Sequence, residues 1–414
     1  MQQYRTGDHA LVREMNLSSV LGYLHRESPL SRAQLASLTN LNKSTISSLV
    51  EELIARGLIH EIGLESSGTG RPATLLQFNP QAGYIIGIEF GVGFITGILT
   101  NFTGEIIWRD SQETDSTAQT NQIIDQALKL VDYAIDKECP QDNRLLGVGI
   151  SLPGLVDVEN GVLTYSPNLQ WQDVAFRQIF MTHTGLAIFI DNDANASAIG
   201  EHLFGAAKKS QDFIFIVAGV GIGGGLFLNG DVYRGSGGYA GEIGHTRIIS
   251  EQNRPCRCGH QGCWENTGNQ YSLIERVRAR LEVGRQSLIH QLMSEQNSPV
   301  DLYIIKQAAD SDDEEVREAL NETGYVIGLG VANLINIFNP ELVVIGGSMS
   351  IAGKYLLPAI EKAISDNAME EPRRQTKVVL SKFGPDAISM GAIALVVKHV
   401  LANPTCVDRI TTPP

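Results

Sequence analysis

The sequence predicts an α/β protein in which an N-terminal winged helix-turn-helix precedes a larger, two-lobed α/β body. Three observations predict it. The first eighty residues hold three short segments of helical apolar spacing followed by a strand pair, and from Tyr84 onward glycine-punctuated apolar strands alternate with helical stretches. At 414 residues the chain also exceeds the size at which one core stops growing, so two or three domains are expected.

The net charge of −14 argues against a surface that binds nucleic acid throughout. That charge is unevenly spread: residues 1–78 hold 7 Lys+Arg and 7 Asp+Glu, against 25 and 39 in the remainder, so any DNA contact must be local. No run of eighteen apolar residues occurs and the chain opens Met-Gln-Gln-Tyr-Arg. Neither a membrane span nor a secretory signal is therefore expected, and the protein should be cytoplasmic.

Within residues 1–80, Leu11, Met15, Val20, Leu21 and Leu24 follow helical spacing, and Ser28-Pro29 ends that helix. Ser31 with Gln34 makes a capping box for a short second helix containing Leu35 and Leu38. A tight turn at Thr39-Asn40-Leu41 leads to a third helix, capped by Asn42, with Ile46, Leu49, Val50, Leu53 and Ile54 inward and Gly57 as its stop. Strands from Leu58 to Ile62 and from Thr74 to Phe78 then supply a wing. The start of the third helix carries Asn42, Lys43, Ser44, Thr45, Ser47 and Ser48, short polar residues suited to base edges and phosphates in a major groove. Arg71, between Gly70 and Pro72 in the wing, suits a narrow minor groove. A helical protein-interaction module is the alternative, because this charge balance is less basic than the usual DNA-binding footprint.

The body is expected to begin with strands from Tyr84 to Phe90, Phe94 to Thr100 and Glu105 to Trp108, then a helix near 121–136 and a strand from Leu145 to Ile150. A first lobe over 81–198 and a second over 199–383 are expected, with the helix at 384–402 returning to the first. The loop Asp191-Asn192-Asp193-Ala-Asn195 follows an apolar strand and precedes a helix. It lies where ligands collect in open α/β sheets, or it is an ordinary Asx helix cap.

The most specific chemistry lies between Gly241 and Glu265. Gly-Glu-Ile-Gly-His245 is followed, ten residues on, by Cys256-Arg-Cys258-Gly-His-Gln-Gly-Cys263-Trp-Glu265. Thiolates with an imidazole are the ligand set of a tetrahedral structural zinc, so His245, Cys256, Cys258 and Cys263 are the expected metal ligands and Zn2+ the expected cofactor. Disulfides and inert buried cysteines are the alternatives. An odd count of 5 cysteines in a chain expected to be cytoplasmic favours free thiols or thiolates. Glu242, His245 and Glu265 bracket this knuckle, as carboxylates and an imidazole would if they held sugar hydroxyls. A zinc-bound His can donate only through its other ring nitrogen, to an acceptor such as a ligand hydroxyl. Both glutamates could instead serve only to support the ligands or lie as surface charges.

Gly-Glu-Ile-Gly-His followed by Cys-x-Cys-Gly-x-x-Gly-Cys-x-Glu resembles the signature of the ROK family of repressors and sugar kinases, and the likeness runs from the first helix to about Val400. The resemblance implies an actin-like, ribonuclease H-like sugar-kinase body. It also implies that Asn192 and Asp193 bind sugar, that Asp193 matches the base of the kinases, and that the loop carrying Asn168 closes over the ligand. The expected sugar set is thus Asn168, Asn192, Asp193, Glu242, His245 and Glu265. The nucleotide side departs from the family's kinases, which carry Asp-x-Gly-Gly-Thr where this chain has Glu89-Phe-Gly91-Val92-Gly93. The second glycine loop, Gly219-Val220-Gly221-Ile-Gly223, has Val where the kinases usually have Thr. Missing hydroxyls and a β-branched side chain beside the phosphate path weaken nucleotide binding. The expectation is therefore a sugar-responsive repressor of carbohydrate-utilisation genes rather than an enzyme. Xylose or glucose would release operator DNA from a homodimer or dimer of dimers. An ATP-dependent hexokinase with a regulatory N-terminal domain, Asp193 its base, is the rival.

Overall fold

The structure is a computed structural model and describes residues 9–65, 73–115, 118–140, 144–248 and 255–409. Its N-terminal part is a winged helix: helices His9–Glu27, Arg32–Thr39 and Lys43–Ala55, then strands Ile59–Glu65 and Ala73–Phe78. The caps are those the sequence predicts. Ser31 and Gln34 form the reciprocal capping box, Asn40 adopts the left-handed turn conformation, and Asn42 caps the third helix. A short strand, Leu30–Ser31, adds a third member to the wing sheet. Val20, Leu21, Leu24, Leu35, Ile46, Val50 and Leu53 are wholly buried. Met15 is not part of that core: the inward row of the first helix begins at Leu17, leaving Met15 63% exposed. Arg71 and the rest of 66–72 lie outside the described residues.

The body consists of two lobes of the same topology. In the first sheet, strands Tyr84–Phe90, Phe94–Asn101 and Ile106–Glu113 form an antiparallel meander, and Leu145–Leu152 and Ile188–Asn192 add in parallel on its other side. The second sheet repeats this order with Phe213–Ala218, Ile222–Leu228 and Asp231–Val232, extended in parallel by Leu342–Gly346 and Lys377–Leu380. The central strands are continuous apolar runs because both faces are covered, as parallel strands require. The strand from Ile106 runs on to Glu113, beyond the Trp108 that an apolar reading suggests. It is an edge strand of alternating exposure, and its last five residues, Arg109 to Glu113, are all polar.

Helix Ala387–Ala402, with the turn that precedes it from Gly384, is long and apolar enough to cross a membrane, yet Ile393, Val396 and Val397 are wholly buried. It packs on the first sheet, where Ser151 Oγ donates to Ile388 O at 3.1 Å. A small sheet of strands Leu155–Asp157, Val162–Ser166 and Trp171–Val174 leaves the first lobe beside the cleft. In the second lobe the long helix Glu314–Phe338, capped by Asp313, packs along Gly353–Asn367.

Candidate functional site

The carboxyl ends of both sheets open onto one interlobe cleft of about 790 Å3. Strand Ile188–Asn192 passes directly into helix Asp193–Leu203, so there is no intervening loop, and Asn192 is the cap. Its Oδ1 accepts from the amides of Ala194 at 2.9 Å and Asn195 at 3.2 Å, while Nδ2 donates to Gly154 O at 3.0 Å. One amide hydrogen of Asn192 is left for a ligand. The cap also fixes the Asp193 carboxyl at the cleft floor. Burial pushes that carboxyl up to about 7, nearby Glu242 adds to the rise, and the Ala194 amide opposes it.

The second lobe supplies the facing wall. Glu242, His245 and Glu265 all line the cleft, as does Asn168 from the turn after Ser166. Glu242 Oε2 lies 3.7 Å from His245 Nε2, and Glu265 Oε1 lies 3.6 Å from His245 Nδ1. The six side chains expected to bind sugar thus share one cavity.

His245, Cys256, Cys258 and Cys263 bring their ligand atoms within 4.8 Å of one another. Cys256 Sγ lies 3.7 Å from His245 Nδ1, and Cys258 Sγ lies 3.7 Å from Cys263 Sγ. Zinc held tetrahedrally at about 2.3 Å from sulfur separates its ligands by about 3.7 Å, so the cluster fits that ion. Gly259 and Gly262, with φ of +91° and +78°, make the turns between the ligands, a conformation a side chain would strain. Burial pushes the Cys256 and Cys263 thiols up. At Cys258 burial acts in the same sense, but the amide and ring of His260 hold the thiol down at about 7. Cys256 Sγ donates to Glu265 Oε1 at 3.0 Å, a bond that a metal would end by displacing the proton. Glu265 would then be left to accept from a donor in the cleft.

On the nucleotide side, Glu89 is 5% exposed and accepts from Ser389 Oγ at 2.5 Å. Burial raises its carboxyl to about 7, with the charge of Asp193 adding. Gly91, Val92, Gly93 and Val220 line the cleft and offer no hydroxyl to a phosphate.

The expected DNA face is more self-satisfied than the sequence suggests. Asn42 Oδ1 accepts from Thr45 N at 2.8 Å and Ser44 Oγ at 2.7 Å, and Ser47 Oγ donates to Lys43 O at 2.9 Å. Thr45 and Ser47 are half-buried, whereas Asn42, Lys43, Ser44 and Ser48 are exposed. Arg13, which sequence reading missed, reaches from the first helix to donate to Ser48 Oγ at 3.2 Å and to pair with Glu52 at 2.5 Å. Arg234 was equally invisible. It crosses between the lobes to hold Asp191, next to Asn192, through paired bonds of 2.9 and 2.5 Å. Both partners lie far away in sequence, and no local pattern signals them.

The ROK family profile matches residues 85–399, and a MarR family profile matches residues 18–71. The xylose repressor of Caldicellulosiruptor bescii is 34% identical over 398 residues, covering 96% of this chain and 99% of that one. A crystal structure of a ROK family transcriptional regulator, a homolog of the E. coli MLC protein, superposes with a TM-score of 0.80 at 28% identity, over 97% of this chain and 100% of its own. A ROK family glucokinase from Streptomyces griseus, solved with glucose and AMPPNP, superposes with a TM-score of 0.68 at 27% identity, over 75% of this chain and 98% of its own. With its winged helix, its doubled actin-like lobes and matches of this extent, the chain belongs to the ROK family.

Proposed function

We propose that the protein is a sugar-responsive transcriptional repressor: its winged helix binds operator DNA, and a monosaccharide in the interlobe cleft lowers that affinity. One observation carries this reading. A DNA-binding type of domain is packed onto a body whose sugar-side carboxylates, amides and imidazole converge on one cavity, while Gly91-Val92-Gly93 and Gly219-Val220-Gly221 offer no hydroxyl to a phosphate. Xylose or glucose is the proposed effector, supported by the name of the C. bescii relative and by the glucose of the S. griseus complex. Asn168, Asn192, Asp193, Glu242, His245 and Glu265 would hold its hydroxyls. A structural zinc on His245, Cys256, Cys258 and Cys263 would fix the ring of His245, leaving Nε2 toward the ligand. A symmetric dimer, acting in the cytoplasm, would suit a palindromic operator.

The kinase reading draws on one observation, the Asp193 carboxyl raised to about 7 at the end of a parallel strand, where a base would need it. Val92, Gly93 and Val220 stand against it. Incubation with ATP and a sugar panel should give no phosphate transfer above the protein-free rate; transfer at enzymatic rates would replace the repressor reading with the kinase.

Lys43 is the exposed cation at the first turn of the third helix. Lys43→Ala should weaken operator binding and flatten the plot of log affinity against log salt by about 0.9, the slope of one phosphate contact. Sugar affinity should not change. Arg71→Ala is proposed to weaken operator binding through the lost groove contact. A fragment lacking residues 1–80 that binds operator as tightly as the whole chain would overturn the assignment of the DNA interface.

A further inference from the structure

Helix Asp193–Leu203 begins in the sugar cleft and ends at the winged helix. Eleven residues at 1.5 Å each make it about 16 Å long. Asn192 and Asp193 stand at its first turn, and Phe204 follows its last. The Phe204 ring meets His25 of the first helix edge-on at 5.9 Å. His25 in turn meets Phe78, at the end of the wing, at 5.5 Å, and Phe78 stacks on Phe102 of the body at 5.2 Å. Burial holds the His25 ring down at about 4, so it packs there uncharged.

The helix is also gripped between the lobes at backbone distance. A Cβ on Gly225, in the second lobe, would stand 2.3 Å from Ala194 O, and one on Gly391, in the helix that packs on the first lobe, 2.5 Å from the Ala196 carbonyl carbon. The nearest atoms at both contacts are backbone or an alanine Cβ, which have no rotamer to change, and close-packed interiors transmit displacement rather than damp it. Sugar ligands come from both lobes, Asn192 and Asp193 from one side and Glu242, His245 and Glu265 from the other. A ligand that draws them together must therefore move this helix against one lobe.

The winged helix has a second attachment that gives such a push a pivot. Arg56, which ends the third helix, pairs with Asp408 at 2.9 Å and accepts through its carbonyl from Arg144 Nη1 at 3.2 Å. Thr405 Oγ1 donates to Glu14 at 3.0 Å.

Resting on the functional reading above, we propose that helix Asp193–Leu203 is the element that carries sugar occupancy to the DNA-binding domain, with Phe204 and His25 as the positioning residues at its delivering end. A ligand shifts a second site only through differential affinity for two arrangements, and the coupling is measurable as a ratio of operator affinities with and without sugar.

The test uses the full chain and a duplex that the wild-type protein has selected from random-sequence DNA. Operator affinity is measured by fluorescence anisotropy with and without saturating xylose or glucose, and sugar affinity by calorimetry, for wild type, Phe204→Ala and His25→Ala. Coupling of this kind is about 5- to 150-fold, and both variants should collapse the ratio to within about twofold of unity while keeping sugar affinity within about threefold. Phe180→Leu, a change at a wholly buried site of the first lobe, controls for lost stability and should retain the wild-type ratio. If Phe204→Ala does not fold, Phe204→Leu takes its place. Variants that release operator in parallel with wild type overturn the transmission role and leave the repressor reading standing. A wild type that binds neither sugar overturns that reading, and this inference with it.

Discussion

Cys263→Ser should empty the knuckle of zinc and abolish the sugar response, the largest effect of any single substitution considered. Cys263 is 2% exposed and its Sγ closes the cluster at 3.7 Å from Cys258. A serine hydroxyl is a harder and poorer zinc ligand than a thiolate, and three ligands cannot complete a closed structural site. Among the described residues the knuckle is otherwise held by neutral backbone bonds worth about 0.5–1.5 kcal/mol each: Cys256 N donates to His260 O at 2.7 Å, Gly259 N to Cys256 O at 2.9 Å, Ile248 N to Gly262 O at 3.2 Å and Trp264 N to Thr246 O at 2.9 Å, and isolated bridges join Pro255 to Gln261 and Arg247 to Cys263. Structural zinc contributes about 10–16 kcal/mol of binding in small zinc domains, so its loss should unfold this segment and release His245 and Glu265 from the cleft. Chelator-washed wild type should hold one zinc per chain by elemental analysis, the variant substantially less, and sugar affinity should fall by more than about a hundredfold as several charge-assisted bonds are lost together. Wild type holding substantially less than one zinc, or a variant retaining a full complement, would remove the site.

Glu242→Ala should weaken sugar binding by roughly ten- to a hundredfold, since a hydrogen bond to a charged group is worth about 1.5–3 kcal/mol and each 1.4 kcal/mol is a factor of ten. Glu242 is 47% exposed at its side chain, so water competes for the carboxylate and the lower end of that range applies. Operator binding without sugar should survive, because the proposed DNA contacts lie in the first eighty residues. Isothermal titration of the variant with the effector measures the loss, and unchanged affinity would exclude Glu242 as a ligand.

What the sequence disclosed was whatever is encoded locally. Caps at Ser31 and Asn42, the stop at Gly57 and the Cys–His cluster depend on residues within a few turns of one another, and each stands where its pattern put it. Helical spacing alone misassigned Met15, because the three-helix core, not the period, decides which row faces inward. Asn192 was legible as a cap and as a candidate ligand, and the passage from strand to helix without a loop shows why a side chain that caps the helix can still face the cleft. The contacts that join the parts were not legible. Asp191 with Arg234, Arg56 with Asp408, and His25 with Phe204 bring together residues dozens to hundreds of positions apart, and only the closed topology of the lobes and the returning C-terminal helix makes them neighbours.

One titration bears most directly on whether a sugar in the cleft governs DNA binding by the same chain. A labelled duplex selected by the wild-type protein is held at half-saturation, and xylose or glucose is added to wild type and to Glu242→Ala while anisotropy is followed. Wild type should release the duplex as sugar rises, and the variant should require a concentration higher by roughly tenfold, following its weaker sugar affinity. Release of both proteins at the same sugar concentration would contradict a sugar read in this cleft.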